Sequence, residues 1–222
     1  MTRRQTPGAP FAGARAGLRE RKKQRTREAL LHAALRLFTA QGYDRTTVDE
    51  IVEAVGVSQR TFFRYFVNKE ATAFAVQDAV DARFLAELRQ RPATEAPFEA
   101  MRRAVTDAWD GMAAEIGDEA VIELQIRTYR MIESTPALLS AHIRRNIGLE
   151  QQIALLIAER EGLDVEADPR PRVAVAAFSG VMRLSGQLWG RRKDAGVKEL
   201  RQMTELHLDH LGPALSRNWR AA

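Results

Sequence analysis

The chain has 222 residues, 45% hydrophobic and 28% charged, with no cysteine; one or two globular domains fit that length, and disulfides, cysteine nucleophiles and thiolate metal sites are excluded. Its most membrane-like stretch, Val173 to Met182, spans ten residues where a bilayer helix needs roughly 20, and no apolar block follows Arg3 and Arg4 as in a signal peptide, so a soluble cytoplasmic protein is expected. The net charge of +5 is uneven: residues 1–70 hold 14 Lys and Arg against 7 Asp and Glu, while residues 71–222 hold 20 against 22, which suggests a polyanion contact near the N-terminus, a solvated basic tail being the plainer alternative.

Residues 1–18 contain Pro7, Gly8, Pro10, Gly13 and Gly17 without apolar periodicity and are expected to form a disordered basic arm. From Glu20 onward Leu30, Ala33, Ala34, Leu37 and Phe38 recur at helical spacing, and Gly42 stops the helix. Thr47-Val48-Asp49-Glu50 is a capping box opening a second helix with Ile51, Val52 and Val55 inward, ended by Gly56. Ser58 caps a third, about 59–66, and Asn68 a fourth, running to about residue 89. Beyond Pro92 and Pro97, helices are expected at about 98–116 (ending at Gly117) and 119–133. Thr135-Pro136 starts one that runs to about 160, Asp168-Pro169 starts one that runs to about 190, and a last covers about 197–211, ahead of Gly212-Pro213. No alternating strand pattern exceeds four residues. The expected fold is all-α, with about nine helices.

Helices two and three are short and joined tightly through Val55-Gly56-Val57. That is helix-turn-helix geometry, whose second helix enters the major groove. Phe62 and Phe66, four apart, can face the core. Gln59, Arg60, Thr61, Phe63, Arg64 and Tyr65 are left outside. Arg bonds guanine bidentately, Gln bonds adenine, and Thr offers a methyl and a hydroxyl. Arg19, Arg21, Lys22, Lys23, Arg25 and Arg27 add charge around helix one. Such arms enter the minor groove beside a main site, and each phosphate contact adds about 0.9 to the salt slope of log K.

The pattern Gly42-Tyr43-x-x-Thr46-Thr47-Val48-x-x-Ile51-x-x-x-x-Gly56-Val57-Ser58-x-x-Thr61-Phe62-Phe63-x-Tyr65-Phe66-x-x-Lys69-Glu70 resembles the DNA-binding domain of the TetR family of bacterial transcriptional regulators, in register over residues 20–70. The resemblance implies a homodimer with a helix-turn-helix domain at 19–67 and a helical ligand-binding and dimerisation domain at 68–216. It implies phosphate contact by Thr47 with Thr46 and Ser58 beside it, base reading by Gln59, Arg60 and Thr61, and backbone contact by Lys69, with Phe63, Arg64, Tyr65 and Arg25 completing the DNA-binding set. Position 63 is most often Tyr in the family; Phe63 can stack on a sugar but cannot donate to phosphate.

In the C-terminal half, Trp109, Met112, Ile122, Gln125, Ile126, Tyr129, Phe178 and Met182 are candidates to line a ligand cavity, with Met131 and Trp189 nearby in pattern. Ordinary core packing is the competing reading of each. Gln125 lies on one helical face with Ile122 and Tyr129, and a buried amide requires a partner. Arg102, Arg103, Arg127 and Arg130 are candidates for an anionic headgroup. Small residues at Ala174, Ala176, Ala177, Ser179, Gly180, Ser185 and Gly186 allow close helix approach, and the resembled family dimerises through its last two helices. This half also resembles actinobacterial mycofactocin-associated regulators, some of which respond to acyl-coenzyme A. A small lipophilic or acyl-coenzyme-A-like effector is therefore expected.

His207 and His210, at i and i+3, are two imidazoles without a third ligand fixed by spacing, and His142 has no partner visible in sequence. No HExxH, Walker loop, GxGxxG or GxSxG occurs, so neither an enzyme nor a cofactor is expected. Two readings stay open: a ligand-responsive repressor released from a palindromic operator, and a constitutive DNA-binding protein whose C-terminal half only dimerises. In the first, two copies of helix three occupy major grooves about 34–36 Å apart, and ligand alters that spacing. A filled core would favour the second.

Overall fold

The computed structural model describes residues 11–116, 119–192 and 196–215. Among them the secondary structure is helical throughout: α1 (Phe11–Gln41), α2 (Val48–Val55), α3 (Gln59–Phe63), α4 (Lys69–Gln90), α5 (Pro97–Ile116), α6 (Glu119–Ser134), α7 (Pro136–Glu161), α8 (Arg170–Gly190) and α9 (Val197–Leu215). No described helix is long and apolar enough to cross a membrane. The chain divides into two compact units, residues 1–72 and 73–222.

In the first unit α1, α2 and α3 close on a core of Leu30, Ala34, Leu35, Phe38, Ile51, Val52, Phe62 and Phe66. Leu35 replaces the expected Ala33 and Leu37 at its centre, because the 30–34–38 row points inward and Leu35 flanks it. The capping box forms in full: Glu50 N donates to Thr47 Oγ1 (3.2 Å) and Thr47 N to Glu50 Oε2 (2.7 Å). The Thr47 N–H, then Gln41 Nε2 and the Thr47 hydroxyl, hold the Glu50 carboxyl below its ordinary range. Gly56 adopts φ 70°, a left-handed turn that L side chains rarely reach, and so lets α2 turn into α3.

Three boundaries differ from the expectation. First, α1 starts at Phe11, inside the segment read as a disordered arm; Ala12, Ala14, Arg15 and Ala16 are strong helix formers and outweigh Gly13 and Gly17. The rest of that arm, 1–10, lies outside the described residues, as does Gly117. Second, α3 closes at Phe63 rather than Phe66, with Tyr65 N and Phe66 N bonding back to the Phe62 carbonyl. Third, α9 runs through Gly212-Pro213 to Leu215. A proline in the last turn removes one backbone bond and does not break the turns before it.

The second unit buries Phe84, Leu88, Met101, Ile153, Ile157, Val175, Phe178 and Leu208 in one cluster. Ala100, Ala104 and Ala108 form a fully buried row on α5 that brings the neighbouring helices close. Arg160 near the end of α7 donates to the carbonyls of Arg91 (2.8 Å) and Glu95 (2.8 Å), fixing the α4–α5 connection. A second cluster joins Ile126, Trp189 and Met203, and the Trp189 indole donates to the Gly196 carbonyl (2.8 Å).

Candidate functional site

The first unit presents α3 outward. Ser58, Gln59, Arg60, Phe63 and Arg64 are exposed, and Thr61 and Tyr65 are half-buried. Ser58 Oγ accepts from Thr61 N (3.3 Å), so the cap also orders the two hydroxyls at the start of the helix. Gln59 Nε2 donates to Asp49 Oδ1 of α2, which leaves its carbonyl oxygen and its second N–H open. Arg64 stacks over the Tyr65 ring and donates to its hydroxyl (3.2 Å). Phe63 is 52% exposed, edge-on to the buried Phe62. Arg60 and Arg25 are exposed, and neither makes an ion pair among the described residues.

Two residues expected on this surface are placed otherwise. Thr46 is 1% exposed and donates to the Gly42 carbonyl (2.9 Å), so its side chain serves the α1–α2 turn. Lys69 donates to the carbonyls of Tyr43 and Thr46, each at 2.8 Å, and its ammonium lies 4.2 Å from the Tyr43 ring centre. It adds a second donor to the Tyr43 carbonyl, which also accepts from Thr46 N (3.2 Å), and supplies one to the Thr46 carbonyl. Thr47 stays exposed, but its hydroxyl donates to Glu50 Oε2 (3.0 Å). Within the basic segment, Arg27 lies over the Phe66 ring and is tied to the core. Two further residues of this surface carry no signal in the sequence: Asp49, whose contact with Gln59 spans ten residues, and Val67, an apolar side chain 82% exposed just past α3.

The second unit contains a partly open cavity of about 320 Å³. All eight candidates, Trp109, Met112, Ile122, Gln125, Ile126, Tyr129, Phe178 and Met182, lie on its wall, and so does Trp189. Met131 does not. Most of the remaining wall is apolar, including Val76, Val80, Phe84 and Ile153. Helical spacing found these residues because inward-facing rows from α5, α6 and α8 converge on one space.

The polar edge of the cavity was not visible in sequence. It comes from α4 and α7: Gln77, Asp81, His142, Asn146 and Glu150. Phe74 stacks on His142, and Asp78 pairs with Arg145 (2.7 Å), so these rows run side by side. His142, read as a lone histidine, has several neighbours. Asn146 Nδ2 lies 3.2 Å from its Nε2, Glu133 lies 3.6 Å away, and Tyr129 meets it edge-on. Burial, then the Arg145 charge, lowers its pKa. Burial, then the neighbouring Asp78, pushes Asp81 up to about 7, against the opposing pull of Arg145. Burial likewise raises Glu133 and Tyr129.

The arginines offered for a headgroup are elsewhere. Arg102 pairs with Asp209, Arg103 with Glu95 and Glu99, and Arg127 with Glu123, while Arg130 donates to the Arg192 carbonyl. The cation on the cavity wall is Arg183, 3.8 Å from Glu150. His207 pairs with Ser185 (2.9 Å), and His210 lies 2.8 Å from the Leu206 carbonyl of its own helix. Among the described residues no cluster of three His, Asp or Glu side chains suits a metal.

Residues 30–76 match the family model "Bacterial regulatory proteins, tetR family", and residues 95–215 match that of the MftR C-terminal domain. The second match accords with the resemblance to mycofactocin-associated regulators. The chain is 43% identical to the HTH-type transcriptional regulator TcmR of Streptomyces glaucescens, over 98% of this chain and 93% of that one. The fold is similar to that of NalD, the secondary repressor of the MexAB-OprM multidrug efflux pump in Pseudomonas aeruginosa, with TM-score 0.58 and 19% identity over 90% of this chain and 100% of that one. It is also similar to Thermus thermophilus FadR, a transcriptional repressor in complex with lauroyl-CoA, with TM-score 0.50 and 22% identity over 88% and 98%. A helix-turn-helix head and a helical body, each matched along its length and joined in one relative by near-complete coverage, place this chain in the TetR family of bacterial transcriptional regulators.

Proposed function

We propose that this regulator is a repressor that binds a palindromic operator as a homodimer and is released by a small lipophilic ligand. The cavity of about 320 Å³ carries the reading. A purely dimerising domain gains nothing from a void, which costs packing energy. The volume falls within the range of small-molecule sites, where an apolar wall with few polar groups is usual. The polar edge supports the lipophilic form of ligand over a coenzyme-A ester: it carries Asp81 and Glu150, and its one cation, Arg183, already faces Glu150.

On the DNA side, Gln59, Arg60 and Thr61 are assigned to base edges. Thr47, Ser58, Phe63, Arg64, Tyr65 and Arg25 are assigned to the backbone around them. Thr46 and Lys69 are assigned to holding that surface in shape. On α8, Val173, Leu184 and Leu188 remain 65%, 48% and 36% exposed, an apolar row that a second copy would cover across a two-fold axis. Ligand in the cavity would then alter operator affinity through α4, which carries Lys69 at its start and cavity residues from Ala73 onward. A coupling of about 1–3 kcal/mol suffices.

Selection of bound duplexes from a random pool at two salt concentrations tests the DNA half. An inverted repeat with half-sites one helical turn apart, lost in Arg60→Ala, is expected. A pool without sequence enrichment at either salt would leave only charge-driven binding and overturn the repressor reading. With the operator in hand, a ligand that tightened the complex would overturn release.

A further inference from the structure

The positive charge of the first unit lies ahead of its helix-turn-helix. Residues 1–28 hold nine Lys and Arg against two Asp and Glu, while residues 29–70 hold five against five. The folded head is therefore electroneutral, although proteins bind duplex DNA largely by neutralising phosphates. Within 29–70, Arg45 and Lys69 donate to backbone carbonyls around the α1–α2 turn, and Arg64 lies over the Tyr65 ring. Asp49 sets an acid beside the recognition helix.

The missing charge stands on an exposed stretch of α1. That helix starts at Phe11, and the first of its described side chains to be buried is Leu30. From Arg19 to Arg25 every side chain is exposed, and the helix meets the core at Arg27, over the Phe66 ring. At the helical rise, Phe11 to Arg25 spans about 22 Å. Helical spacing sorts this stretch into faces. Arg19, Lys23 and Arg27 form one row, Arg21 and Arg25 a second, and Lys22 lies between them. Glu20, Gln24 and Glu28 share the remaining face, where Gln24 donates to Glu28 (2.7 Å). Cations thus cover most of the circumference. Like charges four apart destabilise a helix, and a helix polar all round has no face to pack; a polyanion relieves the first defect and supplies a partner for the second. The matching family model begins at residue 30, so this stretch precedes the domain that the family shares.

We propose that the start of α1 is a second DNA-binding element, in which Arg19, Arg21, Lys22 and Lys23 meet phosphates beside the bases read by α3 and supply most of the salt-dependent affinity. The proposal rests on the reading of the first unit as the DNA-binding head, and adds where its binding energy comes from.

Anisotropy titration of the full chain against a labelled duplex of random sequence, between about 50 and 200 mM salt, tests this. The variant combines Arg19→Gln, Arg21→Gln, Lys22→Gln and Lys23→Gln and leaves every proposed base reader in place. Its slope of log K against log salt should be shallower by about 2–4 per bound protomer, at about 0.9 per contact, and its affinity at the lower salt should fall at least about tenfold. Its melting temperature should be unchanged or higher, because exposed like charges are removed, so weaker binding is not loss of fold. A second variant that exchanges Arg and Lys at the same four positions should keep the wild-type slope. A Gln variant with wild-type slope and affinity would make the stretch a solvated basic segment and overturn the proposal. So would a charge-exchanged variant as weak as the Gln variant, or a wild type that does not bind the random duplex at the lower salt. The operator reading fails on a different result, the absence of any enriched sequence in the wild-type duplex selection, whatever the slope.

Discussion

Lys69 spends its protons on the carbonyls of Tyr43 and Thr46 and its charge on the Tyr43 ring. A side chain so engaged secures the turn between α1 and α2. Lys69→Met is therefore expected to destabilise the protein by about 1–3 kcal/mol in denaturant unfolding. It should leave the salt slope of DNA binding in place, where loss of a phosphate contact would reduce it by about 0.9. Asp49 holds the amide nitrogen of Gln59, one of the residues proposed to read bases. Asp49→Ala should free that amide and remove a negative charge from the surface. The expected result is a changed base preference at one position of each half-site and tighter overall binding, read by repeating the duplex selection. Asp81 gives a pH effect whose sign is fixed. Its folded pKa of about 7 lies above the ordinary 3.8, so the folded state binds the proton more tightly. Its contribution to stability is present at low pH and is lost as pH rises from about 4 through about 7. His142 works in the opposite sense, since its lowered pKa costs stability as pH falls below its ordinary value. Comparing wild type with Asp81→Asn isolates the carboxyl: the variant should gain stability relative to wild type between pH 5 and pH 8 in thermal melts.

At the level of elements, close approach between α6 and α8 depends on Gly186. A Cβ there would run into the Tyr129 hydroxyl. Tyr129 lines the cavity and meets both His142 and Trp189 edge-on, so it has little room to retreat except into the void. Gly186→Ala is expected to cost about 1–3 kcal/mol through overpacking, measured by chemical denaturation. The displaced ring should also narrow the cavity. The same helices show why periodicity was informative. On α8, Phe178, Met182, Gly186 and Trp189 follow one face at three- and four-residue steps, and all four line the cavity. The expected helix stop at Gly212-Pro213 failed because breakers act through backbone bonds, and a terminal turn has few to lose.

For the whole molecule, the proposed assembly rests on the row Val173, Leu184 and Leu188 on α8, with Leu206 of α9 also 55% exposed. Apolar side chains this accessible are expected to be covered by a second copy. Leu184→Glu should convert a dimer to monomers in sedimentation velocity. It should also lower operator affinity severalfold, because two half-sites would no longer be engaged together. A wild-type monomer would defeat this prediction directly.

The sequence by itself determined the all-α fold and the helix-turn-helix with its capping box at Thr47 and Glu50, and it marked the inward-facing apolar rows of the C-terminal half while leaving open whether they line a cavity or fill a core. Each depends on spacing along one helix or on contacts within a few residues. Only the tertiary structure decided the partners of Thr46, Lys69, Gln59 and His142, and with them the polar edge made by Gln77, Asp81 and Asn146. Lys69 lies 26 residues from Tyr43 and Gln59 ten from Asp49. Periodicity tells which way a side chain faces but not which element faces it. A polar residue takes its role from the partner that satisfies it, and that partner is set by how the helices pack.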